Sequence, residues 1–316
     1  MASRALVVSD GKPGHENQST ALCRLLGFDY DVVSLTFRNR ACKLLSHLFD
    51  AAGFLWGGLV DQAPLPGSAY DAVVAAGSET YYGAKRLGRL LDCPTIAILA
   101  PRGYRLDFSA VVVPEHDRFV SAPNVIRVPV NLCRSDSAFF TCAAAAFAER
   151  HTQHRPAVGF VIGGDNRVFH FSSERLESRI REVMAQSQGR EFWVTTSRRT
   201  GPEIESMLER LPFEYRLLYS TDSYNPVPAF IALCERLVVT ADSTSMISEA
   251  VCYGSAAVEV LMPDRQTGRP GKFLRLIEGL EDRGALHVYD GSLGSATAKI
   301  DLQSHAEKVR TCISSK

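Results

Sequence analysis

Short runs of apolar and β-branched residues, each ending in a polar or glycine-containing loop, recur along the chain and constrain its fold more than any other feature. Residues 5–8, 30–36, 72–75, 95–99 and 110–113 read as buried strands. Helical spacing follows the loops, at Ala21, Leu22, Leu25 and Leu26 and again over 84–91. That alternation is the rhythm of βα units around a parallel sheet. It restarts at Pro156, with strands expected at 157–162, 192–195, 237–240 and 256–262 and helices near 174–186, 229–236 and 273–280. A mostly small-residue helix near 139–149 and a polar linker, 151–155, close the first half. Two domains are expected, 1–150 and 151–316, with the last helix a candidate to pack back on the first.

Each half is long enough to bury its own core in a chain of 316 residues. With 46% hydrophobic and 22% charged residues the composition is that of a soluble globular protein. Thirty-five basic residues balance thirty-five acidic ones, so no global field favours nucleic acid, and no such partner is expected. The eight cysteines form no CxxC pair and no zinc-like spacing, which suits a reducing cytosol and predicts no metal site. Residues 1–4 lead into a strand without the apolar core of a secretory signal. No apolar run reaches the roughly 20 residues of a spanning helix. A cytoplasmic protein is expected, at most peripheral on the inner face of a membrane.

The reactive side chains gather at strand ends, where ligands bind in open α/β sheets. After the first strand come Asp10, Gly11, Lys12, Gly14, His15, Glu16, Asn17 and Gln18, and after the 72–75 strand come Gly77, Ser78 and Glu79. His15 and Glu16, then Asp10, are the candidate general bases, and the remaining residues of both loops are assigned to the acceptor side. In the second half, Asp242, Ser243, Thr244 and Ser245 precede the helically spaced Met246, Ile247, Ala250 and Val251. A helix N-terminus offers unpaired N–H groups and partial positive charge, so a hydroxyl-rich turn there suits a phosphate. Glu249, four residues after Ser245, is placed to accept hydrogen bonds from sugar hydroxyls. The plainer reading makes Asp242 or Ser243 a helix cap and Glu249 a solvated carboxylate. Gly163, Gly164, Asp165 and Asn166 follow another strand, where backbone amides can cradle phosphate. Ser197, Arg198 and Arg199 sit in a loop that serves either phosphate binding or surface solubility.

Residues 38–60 are less orthodox. Arg38, Arg40 and Lys43 precede a segment rich in Leu, Phe and Trp, which suits an anionic bilayer, a lipid-linked substrate, or an ordinary buried helix with a snorkelling rim.

Three strings, Ser9-Asp-Gly-Lys-Pro-Gly-His-Glu-Asn-Gln18, Val194-Thr-Thr-Ser-Arg-Arg-Thr200 and Val239-Thr-Ala-Asp-Ser-Thr-Ser-Met-Ile-Ser-Glu-Ala250, resemble the signatures of the mitochondrial-fission Elm-type family, with Gly163-Gly-Asp-Asn166 between them. The resemblance implies a GT-B-like α/β fold, two Rossmann-like domains with parallel sheets facing across a cleft, and kinship with glycosyltransferases of the MurG type. In those enzymes a Ser-rich turn and a helical Glu contact diphosphate and ribose, which carries over to Ser243, Ser245 and Glu249. The expected function is metal-independent transfer of a sugar from a nucleotide-activated donor, with no further cofactor, to a lipid-linked or glycan acceptor. The alternative is a non-catalytic membrane-surface or interaction scaffold, as the plant members' fission role suggests.

Overall fold

A computed structural model describes residues 3–67, 69–265 and 271–314. The chain divides into two compact units, Met1–Arg134 with Asp301–Lys316, and Ser135–Ile300.

The first unit runs β1 (Arg4–Ser9), α1 (Pro13–Leu25), β2 (Asp29–Phe37), α2 (Arg40–Ala51), β3 (Val60–Gln62), β4 (Ala72–Ala76), α3 (Tyr81–Leu90), β5 (Thr95–Ile98), β6 (Ala110–Pro114) and β7 (Val125–Val128). The sheet order is β3-β2-β1-β4-β5-β6-β7, parallel except for the edge strand β3. β4 and β6 are buried along their whole length, as expected of parallel strands covered by helices on both faces. Leu6, Val8, Val73, Val111 and Val113 pack there with Tyr81, Tyr82 and Leu87 of α3.

The second unit runs α4 (Ser137–Ala148), β8 (Ala157–Ile162), β9 (Phe169–His170), α5 (Ser173–Gln186), β10 (Glu191–Thr196), α6 (Pro202–Glu209), β11 (Tyr215–Leu217), α7 (Val227–Leu233), β12 (Arg236–Thr240), α8 (Thr244–Cys252), β13 (Ala257–Leu261), β14 (Asp264–Arg265), α9 (Gly271–Glu281) and β15 (His287–Val288). Its sheet, β11-β10-β8-β12-β13-β15, is parallel throughout; β9 and β14 form a separate antiparallel pair. Counting only the strands of this sheet in chain order, the order is 3-2-1-4-5-6, and the first unit's sheet has the same order before its added edge strand β7. This is the doubly wound α/β arrangement, with the direction of winding reversing between β1 and β4 and between β8 and β12.

Residues 135–150 lie in the second unit, although the sequence groups them with the first. Phe147 of α4 explains their place: its ring sits 4.9 Å from Trp193, 4.7 Å from Tyr215 and 5.7 Å from Phe230. The linker after α4 is tied to buried Glu191, which accepts from the amides of His154 (2.6 Å) and Arg155 (3.0 Å) and meets His151 Nε2 at 3.1 Å. The last helix, α10 (Gln303–Ser314), belongs to the first unit. Gln303 and Arg310 donate to the carbonyls of Leu25 and Leu26 at the end of α1. Among the described residues no helix is long and apolar enough to cross a membrane.

Candidate functional site

In the first unit, the chain leaves β1 at the switch point and turns through Gly11, whose φ of +74° favours glycine, into α1 with Pro13 at its start. Asp10 is the centre of this turn. Its side chain is only 3% exposed, and it receives the Lys12 ammonium at 2.8 Å and the Lys12 amide at 3.2 Å. His15 Nδ1 lies 3.0 Å from Asp10 Oδ2. Burial alone would raise the Asp10 carboxyl, but the Lys12 hydrogen bond and the His15 ring outweigh it and hold the group below its ordinary value.

The imidazole is pinned on its other side by Gly77, where a Cβ would stand 2.3 Å from His15 Cε1. Gly77 has a φ of +88°, so both the backbone shape and the ring's approach require glycine. Asp10 and Gly77 thus orient the ring, and Nε2 has no hydrogen-bond partner among the described residues. A partly exposed imidazole held through Nδ1 by a buried carboxylate can accept a proton at Nε2.

The other residues of these loops divide by role. Glu16 accepts from Ser9 Oγ at 2.8 Å, and the Gly11 amide donates to the same hydroxyl, so this carboxylate braces the turn. Gln18 is buried and donates to the Gly14 carbonyl, while Asn17 is exposed. Ser78 and Glu79 hold the ammonium of Lys43. Asp10 and Glu79 line one cavity of about 380 Å³ with Thr36, Asn39, Arg40 and Lys43. Sequence reading placed the two basic residues on a helix edge suited to a bilayer or a lipid-linked substrate, without linking them to Asp10. Their link to Asp10 depends on β2 and α2 lying beside the switch point, which local spacing does not reveal.

In the second unit the corresponding turns converge on Asp242, whose side chain is fully buried. Its Oδ1 accepts from Thr240 Oγ1 at 2.7 Å, and its Oδ2 from the Gly164 amide at 3.2 Å and Arg199 Nη2 at 2.5 Å. The Gly163 amide donates to Thr240 Oγ1 at 2.7 Å. Burial raises the Asp242 carboxyl above its ordinary value against the pull of Thr240 and Arg199. The expectation that Gly163 and Gly164 offer their amides to a diphosphate is therefore corrected: an internal carboxylate and hydroxyl already occupy them. The glycines serve close packing. A Cβ on Gly163 would lie 2.0 Å from Asp242 Oδ1, and one on Gly164 would lie 1.9 Å from the Arg199 carbonyl.

Asp165 and Asn166 are likewise engaged by protein groups. Asn166 accepts from the amides of Val168 and Phe169 and donates to the Asp242 carbonyl, while Asp165 meets His170 Nδ1 at 2.6 Å. Ser197 accepts from the Arg199 amide, and Ser243 caps α8 by accepting from the Met246 amide. Thr200 and Thr240, which sequence reading did not single out, bridge the loops; Thr200 Oγ1 donates to the Gly163 carbonyl at 2.6 Å. A hydroxyl at or just after a strand end was the available signal.

What stays open is narrower. Arg198 and Ser245 are exposed and have no hydrogen-bond partner among the described residues, and Thr244 opens α8 beside Ser245. Glu249 is half-buried one turn further on, also without a partner there, and desolvation pushes its carboxyl up to about 7. The reading of Glu249 as a solvated surface carboxylate is overturned. An N-terminal helix turn with an exposed hydroxyl, and a half-buried carboxyl one turn on, have the chemistry to receive a phosphate ester and adjacent hydroxyls, and a guanidinium such as that of Arg198 has the chemistry to pair with phosphate.

A curated relative, an uncharacterized protein of Rickettsia prowazekii (strain Madrid E), is 23% identical over 78% of this chain and 80% of its own length. Among solved structures the chain is similar to the glycosyltransferase SnogD from Streptomyces nogalater, with 13% identity, 99% of this chain and 96% of that one covered, and a TM-score of 0.49. It is also similar to the E. coli ADP-heptose LPS heptosyltransferase II, with 12% identity, 99% of each chain covered and a TM-score of 0.49. The UDP-GlcNAc 2-epimerase from Methanocaldococcus jannaschii gives 12% identity, 98% and 99% coverage and a TM-score of 0.48. The family profile described as Mitochondrial fission ELM1 matches residues 13–312, nearly the full length over which both units were traced. The chain belongs to the mitochondrial fission ELM1 family.

Proposed function

We propose that this protein transfers a glycosyl group from a nucleotide-activated sugar to an acceptor hydroxyl. The observation that carries the reading is the His15 imidazole, fixed through Nδ1 by buried Asp10 and through its ring by Gly77, with Nε2 left to take a proton. In the step envisaged, Nε2 accepts the acceptor's hydroxyl proton as that oxygen bonds to the anomeric carbon. The bond from the anomeric carbon to the diphosphate breaks, and the diphosphate leaves with the electron pair. In the second unit, Arg198 and the start of α8 are assigned to the donor's diphosphate and the Glu249 carboxyl to the nucleotide's sugar hydroxyls. The scheme needs no metal or further cofactor.

A second reading, a non-catalytic interaction protein, draws on one observation: Thr240 and Asp242 occupy the Gly163 and Gly164 amides that would otherwise hold phosphate. Thermal stabilisation by a panel of nucleotides and nucleotide sugars separates the two. A ligand at about 100 times its dissociation constant adds about 2.7 kcal/mol. The transferase reading expects one nucleotide class to stabilise the wild type, and the Arg198→Ala and Glu249→Ala variants to lose most of that gain. If no member of the panel stabilises the wild type, the transferase reading falls and the interaction reading replaces it.

A further inference from the structure

Helix α2 is built inside out. Its buried residues are the polar Ser46 and Asp50, while Leu44, Leu45 and Leu48 are 70%, 40% and 63% exposed. The orientation is locked from within. Asp50 accepts from Lys85 Nζ and from the Arg105 amide, each at 2.6 Å, and Ser46 Oγ lies 3.0 Å from Tyr104 Oη. Rolling the helix to bury its leucines would break that network and strand a buried carboxylate. The exposed apolar face continues into the turn that follows, where Phe54 and Trp56 are 55% and 52% exposed and pack on Phe49 at ring separations of 5.4 and 6.4 Å.

On the exposed surface of α2 itself the charges are basic. The only acidic residue of α2 is the buried Asp50, whereas Arg40 in its first turn has no hydrogen bond or ion pair among the described residues. Lys43, one turn along, is paired with Glu79 at the mouth of the neighbouring cavity. A bilayer carrying anionic lipids matches this pattern: leucines and aromatic rings at the acyl boundary, cations at the phosphate level. Twelve residues are too few to span a membrane, so the helix lies on it.

We propose that α2 and the turn through Trp56 form a docking face for an anionic lipid bilayer. Because Arg40 and Lys43 also line the cavity that contains Asp10, docking sets that cavity's mouth at the headgroup layer.

The test uses the full chain and no nucleotide, so its outcome is independent of the transferase reading. Flotation with phosphatidylcholine vesicles, with and without phosphatidylserine, should show binding that needs the anionic lipid and weakens with salt. Leu44→Gln/Leu48→Gln, at two exposed positions, should keep the melting temperature and bind at least about tenfold more weakly. Trp193 is fully buried, so a vesicle-induced blue shift of fluorescence reports Trp56. Absence of flotation, equal flotation of the variant, or a dimer that the leucine changes dissociate without any vesicle binding would each overturn the proposal.

Discussion

The two switch points share one topology and differ in what fills them. In the first unit the loop after β1 turns its own acid inward to orient His15 and leaves Nε2 open. In the second, the acid after β12 reaches across to the Gly164 amide of the loop after β8 and also accepts from Thr240 and Arg199. Strand order decides where a site can lie. Whether its amides remain available depends on one side chain arriving from another loop.

Three changes probe that contrast. His15→Gln should cost the most, about 10²- to 10⁴-fold in transfer rate, or about 3–5 kcal/mol of barrier, with the melting temperature unchanged. Unchanged turnover in a transfer assay would mean that the open imidazole is no base and that the contrast has no catalytic meaning. Asp242→Ala should act on stability, leaving the Gly164 N–H and the Thr240 O–H buried without an acceptor and costing about 2–4 kcal/mol in urea titration. If that variant keeps its stability and binds phosphate more tightly, the carboxylate is a displaceable plug and the second site resembles the first more closely.

The smallest effect concerns pH. The Glu249 carboxyl is raised in the folded protein to about 7, so between its unfolded value and 7 the folded state binds more protons than the unfolded one. The contribution is complete at low pH and falls as pH rises through about 7, on the order of 1 kcal/mol after allowance for partial exposure. Glu191, held down to about 2, has the opposite sign: its contribution is present above the ordinary carboxylate range and is lost as pH falls toward 2. Melting curves of Glu249→Gln should therefore flatten the neutral side of the stability profile and leave the acid limb unchanged.

Much of this was legible in the residues. The βα rhythm, the restart after Pro156, the Asp10 to Gln18 loop at a strand end and the helix opening at Asp242–Ser245 all rest on local spacing; all four stand in the structure, the two loops at the carboxyl ends of β1 and β12. Strands β9, β14 and β15, of two residues each, carry too few residues for any period to show. The boundary near residue 150 was missed because α4 reads as an isolated helix until Phe147 meets Trp193 and Phe230.

Periodicity and turn chemistry act over a few residues, and they were enough to set the two-unit α/β plan and to point to its reactive loops. The Gly164 amide and Asp242 carboxylate are 78 residues apart, and Asp50 lies 35 from Lys85. Such pairs exist only after the sheet has brought strand ends and helices together. Long-range packing therefore settled which phosphate-like cradle was already full, and which face of α2 was left to the surroundings.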